Sequence, residues 1–131
     1  MREQKEIKYQ MKVLSSLAKV FPDEEPVYQP ECVKLSGLWG ETVSYQVAYT
    51  GNFFMRERVD VRVVSPIAEH VRLRTVEQVP VGRATNGIVD DNYLKTTSGL
   101  YPDLLRDISD GKLIIRSNQW SSLWIDIKLT D

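Results

Sequence analysis

The carboxylates are the side chains of this sequence that could do acid–base chemistry, and they crowd into one stretch. Asp90, Asp91, Asp103, Asp107 and Asp110 follow one another closely along the chain. Two of them could flank a glycosidic bond, or several could bind calcium. However, the stretch lacks the ligand spacing and the glycine position of an EF-hand loop, and acids in loops more often cap turns. We therefore expect neither catalysis nor calcium binding here.

The other reactive groups are isolated. His70 is the only histidine and Cys32 the only cysteine. A histidine base needs a nucleophile or substrate nearby, a zinc site prefers several nitrogen and sulfur ligands, and one cysteine allows no internal disulfide. The sequence also contains no GxGxxG, GxxxxGK[ST] or GxSxG motif. We expect no metal, no cofactor and no enzymatic activity for this chain alone.

The aromatic residues suggest a surface that is covered by something else. Trp39, Trp120 and Trp124, with Tyr93 and Tyr101, could stack on sugar rings. Trp124 alternates with Leu123 and Ile125, which places it on the polar face of a strand. Because an outward-facing tryptophan on a sheet usually marks a covered surface, we favour a domain interface over a ligand site.

Length and charge narrow the class of protein. The 131 residues predict one domain, and 42% hydrophobic with 27% charged residues is typical of a soluble protein. A net charge of −1 favours neither nucleic acid nor an anionic membrane as partner. The N-terminal "MREQKEIKYQ" lacks the apolar core of a signal peptide, and no apolar run approaches the ~20 residues of a membrane span. We expect a cytoplasmic protein.

Segments in which apolar and polar residues alternate, as in β-strands, make up much of the sequence. Alternation is clear in "GETVSYQVAYTGN", "RERVDVRVVSP", "HVRLRTVEQVPV" and "SSLWIDIKLTD". Short strands are also expected near Lys12 to Ser16 and Cys32 to Leu35, and "LYPDLLRDISDGK" fits one short helix, with Pro102 in its first turn and Gly111 after its end.

This pattern predicts an all-β fold. We expect a two-sheet antiparallel β-sandwich, immunoglobulin-like or jelly-roll-like, with one long irregular loop and one short helix. The sandwich is expected over residues 11–131, after a disordered or frayed N-terminus at residues 1–10.

The order of four segments resembles a known domain. "KVLSSLAKVFPDEEP", "LSGLWGETVSYQVAY", "VDDNYLKTTSGLYPDLL" and "NQWSSLWIDI" are similar to the N-terminal β-sandwich domain of bacterial proteins with a glycoside hydrolase family 123-like catalytic domain. The resemblance runs from about Lys12 to Leu129, and the loop Asp91–Leu105 and the motif Gln119–Trp124 are its most specific parts.

The resemblance implies that this chain is a fragment of a longer protein. The implied catalytic part is a (β/α)-barrel after the sandwich, in which an Asp-Glu pair assists hydrolysis of an N-acetylhexosaminide through the substrate's acetamido group. Here the run Asp23-Glu24-Glu25 lies in a proline-rich turn, so no catalytic role is carried over.

The resulting prediction is a non-catalytic accessory domain that packs against and supports the following catalytic barrel. Its expected contact residues are Tyr93, Leu100, Tyr101, Trp120 and Trp124. Two alternatives stay open: a carbohydrate-binding module using these aromatics, and an immunoglobulin-like protein-interaction domain. The loop itself could dock on the next domain, plug one end of the sandwich, or bind a ligand.

Overall fold

The computed structural model describes residues 9–27, 31, 34–52, 57–81, 99–108, 111–116 and 118–130 of the chain. Within these ranges the chain forms seven strands: β1 Tyr9–Ser15, β2 Thr42–Gly51, β3 Glu57–Asp60, β4 Val71–Val81, β5 Gly99–Asp107, β6 Lys112–Ile115 and β7 Ser121–Lys128. A 3₁₀ turn, Ala68–His70, precedes β4. In the described part of the chain, no helix is long and apolar enough to cross a membrane.

The strands form two antiparallel sheets. The larger sheet has the order β1-β2-β7-β4-β5, and β3 pairs with β6 in a second, two-stranded sheet. The central strands are in a simple register: Tyr45 of β2 lies opposite Ile125 of β7, which lies opposite Leu73 of β4. The structure confirms the predicted all-β sandwich with two antiparallel sheets.

The core between the sheets follows from the alternation of side chains. Tyr49, Leu123 and Ile125 point from the larger sheet toward Leu113 and Ile115 of β6, and all five are buried. Burying each such side chain contributes about 1.5–3 kcal/mol. We call this side of the larger sheet the core face.

The opposite face of the larger sheet is partly covered by the chain itself. Residues 16–22, which we call the strap, follow β1 and cross this face, hereafter the strap face. A second buried cluster forms beneath the strap from Leu14, Ala18, Val20, Ala48 and Trp120. Leu14 and Val20 are completely buried, so the strap face holds a small core of its own.

The predicted helix is wrong. "LYPDLLRD" lies in β5, and β6 follows after Gly111, whose φ of 68° makes a turn instead of a helix end. Pro102 lies opposite Gln78, beside a register shift between Glu77 and Gln78. Proline is tolerated there because β5 is an edge strand, where a missing N–H need not remove a ladder hydrogen bond.

Some boundaries also differ from those expected. β1 begins at Tyr9, inside the segment 1–10 expected to be frayed. In place of a strand at Cys32 to Leu35, the described residues show an isolated bridge between Leu14 and Glu31, and Leu35 has no strand structure. Cys32 and most of the loop Asp91–Leu105 lie outside the described residues.

Candidate functional site

Three of the segments singled out in the sequence meet on the strap side of the sheet. The rings of Phe21 and Tyr101 contact edge to face, with centroids 5.7 Å apart, a favourable aromatic geometry. The backbone N–H of Trp120 donates to the carbonyl of Pro22 at 2.9 Å. The proline-rich turn, the Tyr-Pro-Asp segment and the Gln-Trp motif are thus held together within the domain.

The side chain of Trp120 is buried where these three segments meet. Its side chain is only 7% exposed and packs with the cluster beneath the strap. Little of its surface is therefore left for another domain or a sugar. Trp120 acts as an anchor that holds the strap against the sheet.

The remaining candidate contact residues have more varied environments. Leu100 is about half exposed, whereas Tyr101 and Trp124 are half-buried. Tyr93 lies outside the described residues. The structure therefore brings Tyr101 and Trp120 to one region through Phe21 and Pro22, and places Trp124 on the adjacent part of β7.

Trp124 lines a small cleft at the edge of the strap. The cleft has a volume of about 190 Å³. Its wall combines the apolar Trp124 and Pro102 with the polar side chains of Lys19, Gln46 and Asp103. An aromatic surface beside a few polar groups is the usual make-up of a small-ligand site. We call this the Trp124 cleft.

Asp126 is a mostly buried charged group on the strap face. Its Oδ1 accepts hydrogen bonds from the Ser44 hydroxyl and from the indole Nε1 of Trp124, the latter at 2.8 Å, and its Oδ2 pairs with Arg74. Burial raises the pKa of Asp126, but these three donors lower it more, so the carboxyl has a pKa below its usual value. A carboxylate held ionised in this way is a poor general base.

The second polar unit of this face is buried. Gln46, only 3% exposed, donates through Nε2 to the Ala18 carbonyl at 2.7 Å and accepts from the Ser122 hydroxyl at 2.7 Å. Both are bonds between groups withdrawn from water, so they connect the strap to β2 and β7. Gln46 and Asp126 were not predicted as important, because in the sequence they read as ordinary polar positions of alternating strands.

Asp107 and His70 have structural partners, whereas Asp90, Asp91 and Asp110 lie outside the described residues. Asp107 accepts two hydrogen bonds from Arg72, at 2.8 and 2.7 Å. The hydrogen bond from Arg72 lowers the pKa of Asp107. His70 lies near Thr130 and Glu69 at the end of the sheet. Among the described residues, no group of three or more His, Cys, Asp or Glu is placed to hold a metal ion.

A second cleft, of about 220 Å³, opens beside β5 and β6. Arg58, Arg106 and Arg116 line it together with Glu77 and Tyr49. Burial raises the pKa of Tyr49 to about 12, so its phenol stays protonated at neutral pH. Glu77 accepts a hydrogen bond from Thr75 and lies 3.9 Å from Arg106, which leaves a mixed-charge surface without an activated nucleophile.

Comparison with known proteins shows a similar fold in a solved structure. No protein-family model and no curated protein matches this sequence. Among solved structures, the chain is similar to a family 123 glycoside hydrolase from Clostridium perfringens, whose structural analysis concerns glycolipid glycan hydrolysis. The TM-score is 0.62 at 12% identity, over 94% of this chain and 22% of that chain. The likeness shows a shared fold with one part of that longer chain.

Proposed function

We propose that this chain is the accessory β-sandwich domain of a glycoside hydrolase family 123-like protein and has no catalytic activity of its own. In this role it packs against and supports a following catalytic domain. The observation that carries the proposal is the extent of the structural likeness, which includes 94% of this chain but only 22% of the hydrolase chain. A match of that shape is expected when one domain of a multidomain enzyme is compared with the whole.

The chemistry of the described residues supports a structural role over catalysis. Asp126 forms a salt bridge with Arg74, and Asp107 forms one with Arg72. Carboxylates that are ionised and bound to arginines are suited to holding a structure together, not to proton transfer. The hydrogen-bonded strap and the two buried clusters stabilise the domain, which suits it to pack against another domain.

The test compares this chain alone with the same chain joined to the polypeptide that follows it in its natural protein. We expect the joined sandwich to unfold at a higher temperature than the isolated one, because an interface stabilises both partners. We also expect the catalytic domain to lose stability when the sandwich is removed. Identical unfolding temperatures in both forms, by scanning calorimetry, would exclude a supporting role.

Carbohydrate binding is the second candidate function, and the Trp124 cleft is the observation that favours it. Its volume of about 190 Å³ is of the order of one sugar ring, and it combines an indole with the side chains of Lys19 and Asp103. Such a combination of an aromatic face and polar groups suits the apolar face and hydroxyl groups of a sugar.

A further inference from the structure

Two large apolar side chains are exposed in the turn before β2. Leu38 is 74% and Trp39 is 76% exposed. Val64 and Ile67, in the segment that leads into β4, are 83% and 46% exposed. Single exposed apolar residues are common, but a tryptophan and several aliphatic residues at one end of a domain indicate a contact surface. We call these four residues the docking end.

The turn that carries Leu38 and Trp39 is firmly held. A Cβ on Gly37 would lie 3.0 Å from Leu129, and Gly40 adopts a φ of 86°, which favours glycine. The N–H of Gly40 donates to the carbonyl of Leu129 at 2.6 Å. Because the backbone is already ordered, covering Leu38 and Trp39 would cost little additional conformational entropy.

The segment with Val64 and Ile67 lies at the same end of the larger sheet. The N–H of His70 donates to the carbonyl of Ile67 at 2.9 Å, and the His70 ring lies 3.3 Å from the hydroxyl of Thr130. The N–H of Leu129 in turn donates to the carbonyl of Glu41 at 2.8 Å. Leu129 and Thr130 are therefore flanked by the two segments of the docking end, and polypeptide continuing past Asp131 would leave the sandwich here.

We propose that the docking end is the surface on which the domain following this chain in its polypeptide packs, with Trp39 as the anchor. This inference rests on the proposed function, and it moves the interface away from the residues expected from the sequence. A domain joined to the chain beside this surface would have a high effective concentration there. A central exposed tryptophan is also the residue type that most often dominates an interface.

The competing surface near the strap is less suited to this role. Trp120 is buried, Tyr101 already contacts Phe21, and Trp124 donates to Asp126. These aromatics are largely used within the domain, whereas Leu38 and Trp39 remain exposed. In the structurally similar hydrolase, most of the longer chain lies outside the matched part, which is consistent with a large neighbour.

The test uses the natural polypeptide that contains this chain and the domain after it. The double variant Leu38→Ser/Trp39→Ser is compared with Met11→Thr, which removes a 70% exposed apolar side chain from β1. Met11 pairs with Tyr49, toward the opposite end of the sheet from Thr42 and Lys128. In calorimetry we expect the two domains of the wild type and of Met11→Thr to unfold in one shared transition. In the double variant we expect the two domains to unfold in two separate transitions.

Other outcomes separate the inference from the proposed function. Two separate unfolding transitions in the wild type would show that the domains do not stabilise each other, and this would contradict the proposed function as well as the inference. A shared transition that survives Leu38→Ser/Trp39→Ser but is lost in Leu100→Ser would overturn the inference alone, since the interface would lie elsewhere. The double variant of the isolated chain should keep the wild-type unfolding temperature, because both side chains are exposed, and a lower temperature would assign them a structural role instead.

A second readout follows Trp39 directly. In the 131-residue chain, acrylamide should quench a large fluorescence component that is lost in Trp39→Ser. In the longer polypeptide this component should be absent if the next domain covers Trp39. Persistence of the component there would overturn the inference, as would a dimer of the isolated chain that Trp39→Ser dissociates, since the occupant would then be a second copy.

Discussion

The hydroxyl of Ser122 donates to Oε1 of Gln46 at 2.7 Å, between neighbouring strands and out of contact with water. The amide nitrogen of Gln46 donates to the Ala18 carbonyl at 2.7 Å and lies 3.2 Å from that of Ser16. One polar side chain therefore satisfies groups on β7 and on the strap. The strap can cover the sheet because its buried backbone carbonyls accept hydrogen bonds from a side chain of the sheet.

Replacing Gln46 with leucine should destabilise the protein substantially. The Ala18 carbonyl and the Ser122 hydroxyl would stay buried without these partners, at about 1–3 kcal/mol for each group. Urea unfolding measures the difference in free energy. The matched control is Gln10→Leu, an exposed position on β1, for which we expect a change within about 0.5 kcal/mol. Equal effects of the two substitutions would contradict the structural role of Gln46.

The sequence predicted the sheets well because alternation directly reports which side chains face a core. Leu123 and Ile125 of β7 are buried and Trp124 faces the other way, as their spacing indicates. The strap was not predictable in this way, because its burial depends on Gln46, which is distant in sequence. The helix predicted for the Tyr-Pro-Asp segment is wrong, because Pro102 and the nearby register shift interrupt the simple alternation of β5.

Gly40→Ala should lower stability through the backbone alone. Apart from Gly40 and its two chain neighbours, no residue has an atom within 4 Å of the place where the new Cβ would be, so no clash is expected. The φ of 86° remains unfavourable for alanine, and we expect a loss of about 1 kcal/mol or somewhat more. Thermal unfolding provides the measurement, with Ser36→Ala, an exposed position before this turn, as a near-neutral control. A Gly40→Ala variant as stable as the wild type would show that the turn can adopt another conformation.

The isolated chain should not hydrolyse aryl N-acetylhexosaminides. This follows from the proposal that catalysis belongs to a following domain, and from the engagement of Asp126 and Asp107 with arginines. Release of the aryl group should equal that of buffer alone. The exposed Asp103 provides the check: turnover that persists after repurification but disappears in Asp103→Asn would establish an active site in this chain.

The carbohydrate-binding alternative makes its own prediction at the Trp124 cleft. N-acetylhexosamine should shift the indole N–H resonance of Trp124, with a dissociation constant on the order of 1 mM for a single sugar, or about −4 kcal/mol. Asp103→Ala should weaken the response, because Asp103 lines the cleft. The resonance of Trp39 serves as the internal control. Equal shifts at Trp39 and Trp124 would indicate nonspecific binding and remove this candidate function.

The stability of the sandwich should fall in acid through Asp126. Ser44, Trp124 and Arg74 bind its ionised form, so its pKa in the folded protein lies below the value of about 3.9 for an unfolded chain. A depressed folded pKa contributes stability that is present above the unfolded pKa and is lost as the pH falls through the folded one. The difference in unfolding free energy between the wild type and Asp126→Asn should therefore be largest above about pH 5 and shrink on acidification.

Asp107→Asn is the matched control for this experiment. Asp107 also has a lowered pKa, through hydrogen bonds from Arg72, but that pair is largely exposed. Its contribution should have the same sign, be smaller, and diminish with added salt, because exposed ion pairs are screened. The Asp126 contribution should persist in salt, since its carboxylate and Arg74 are mostly buried. If the wild type and Asp126→Asn instead differ by the same amount at every pH, the loss of Asp126 acts through packing and not through its charge.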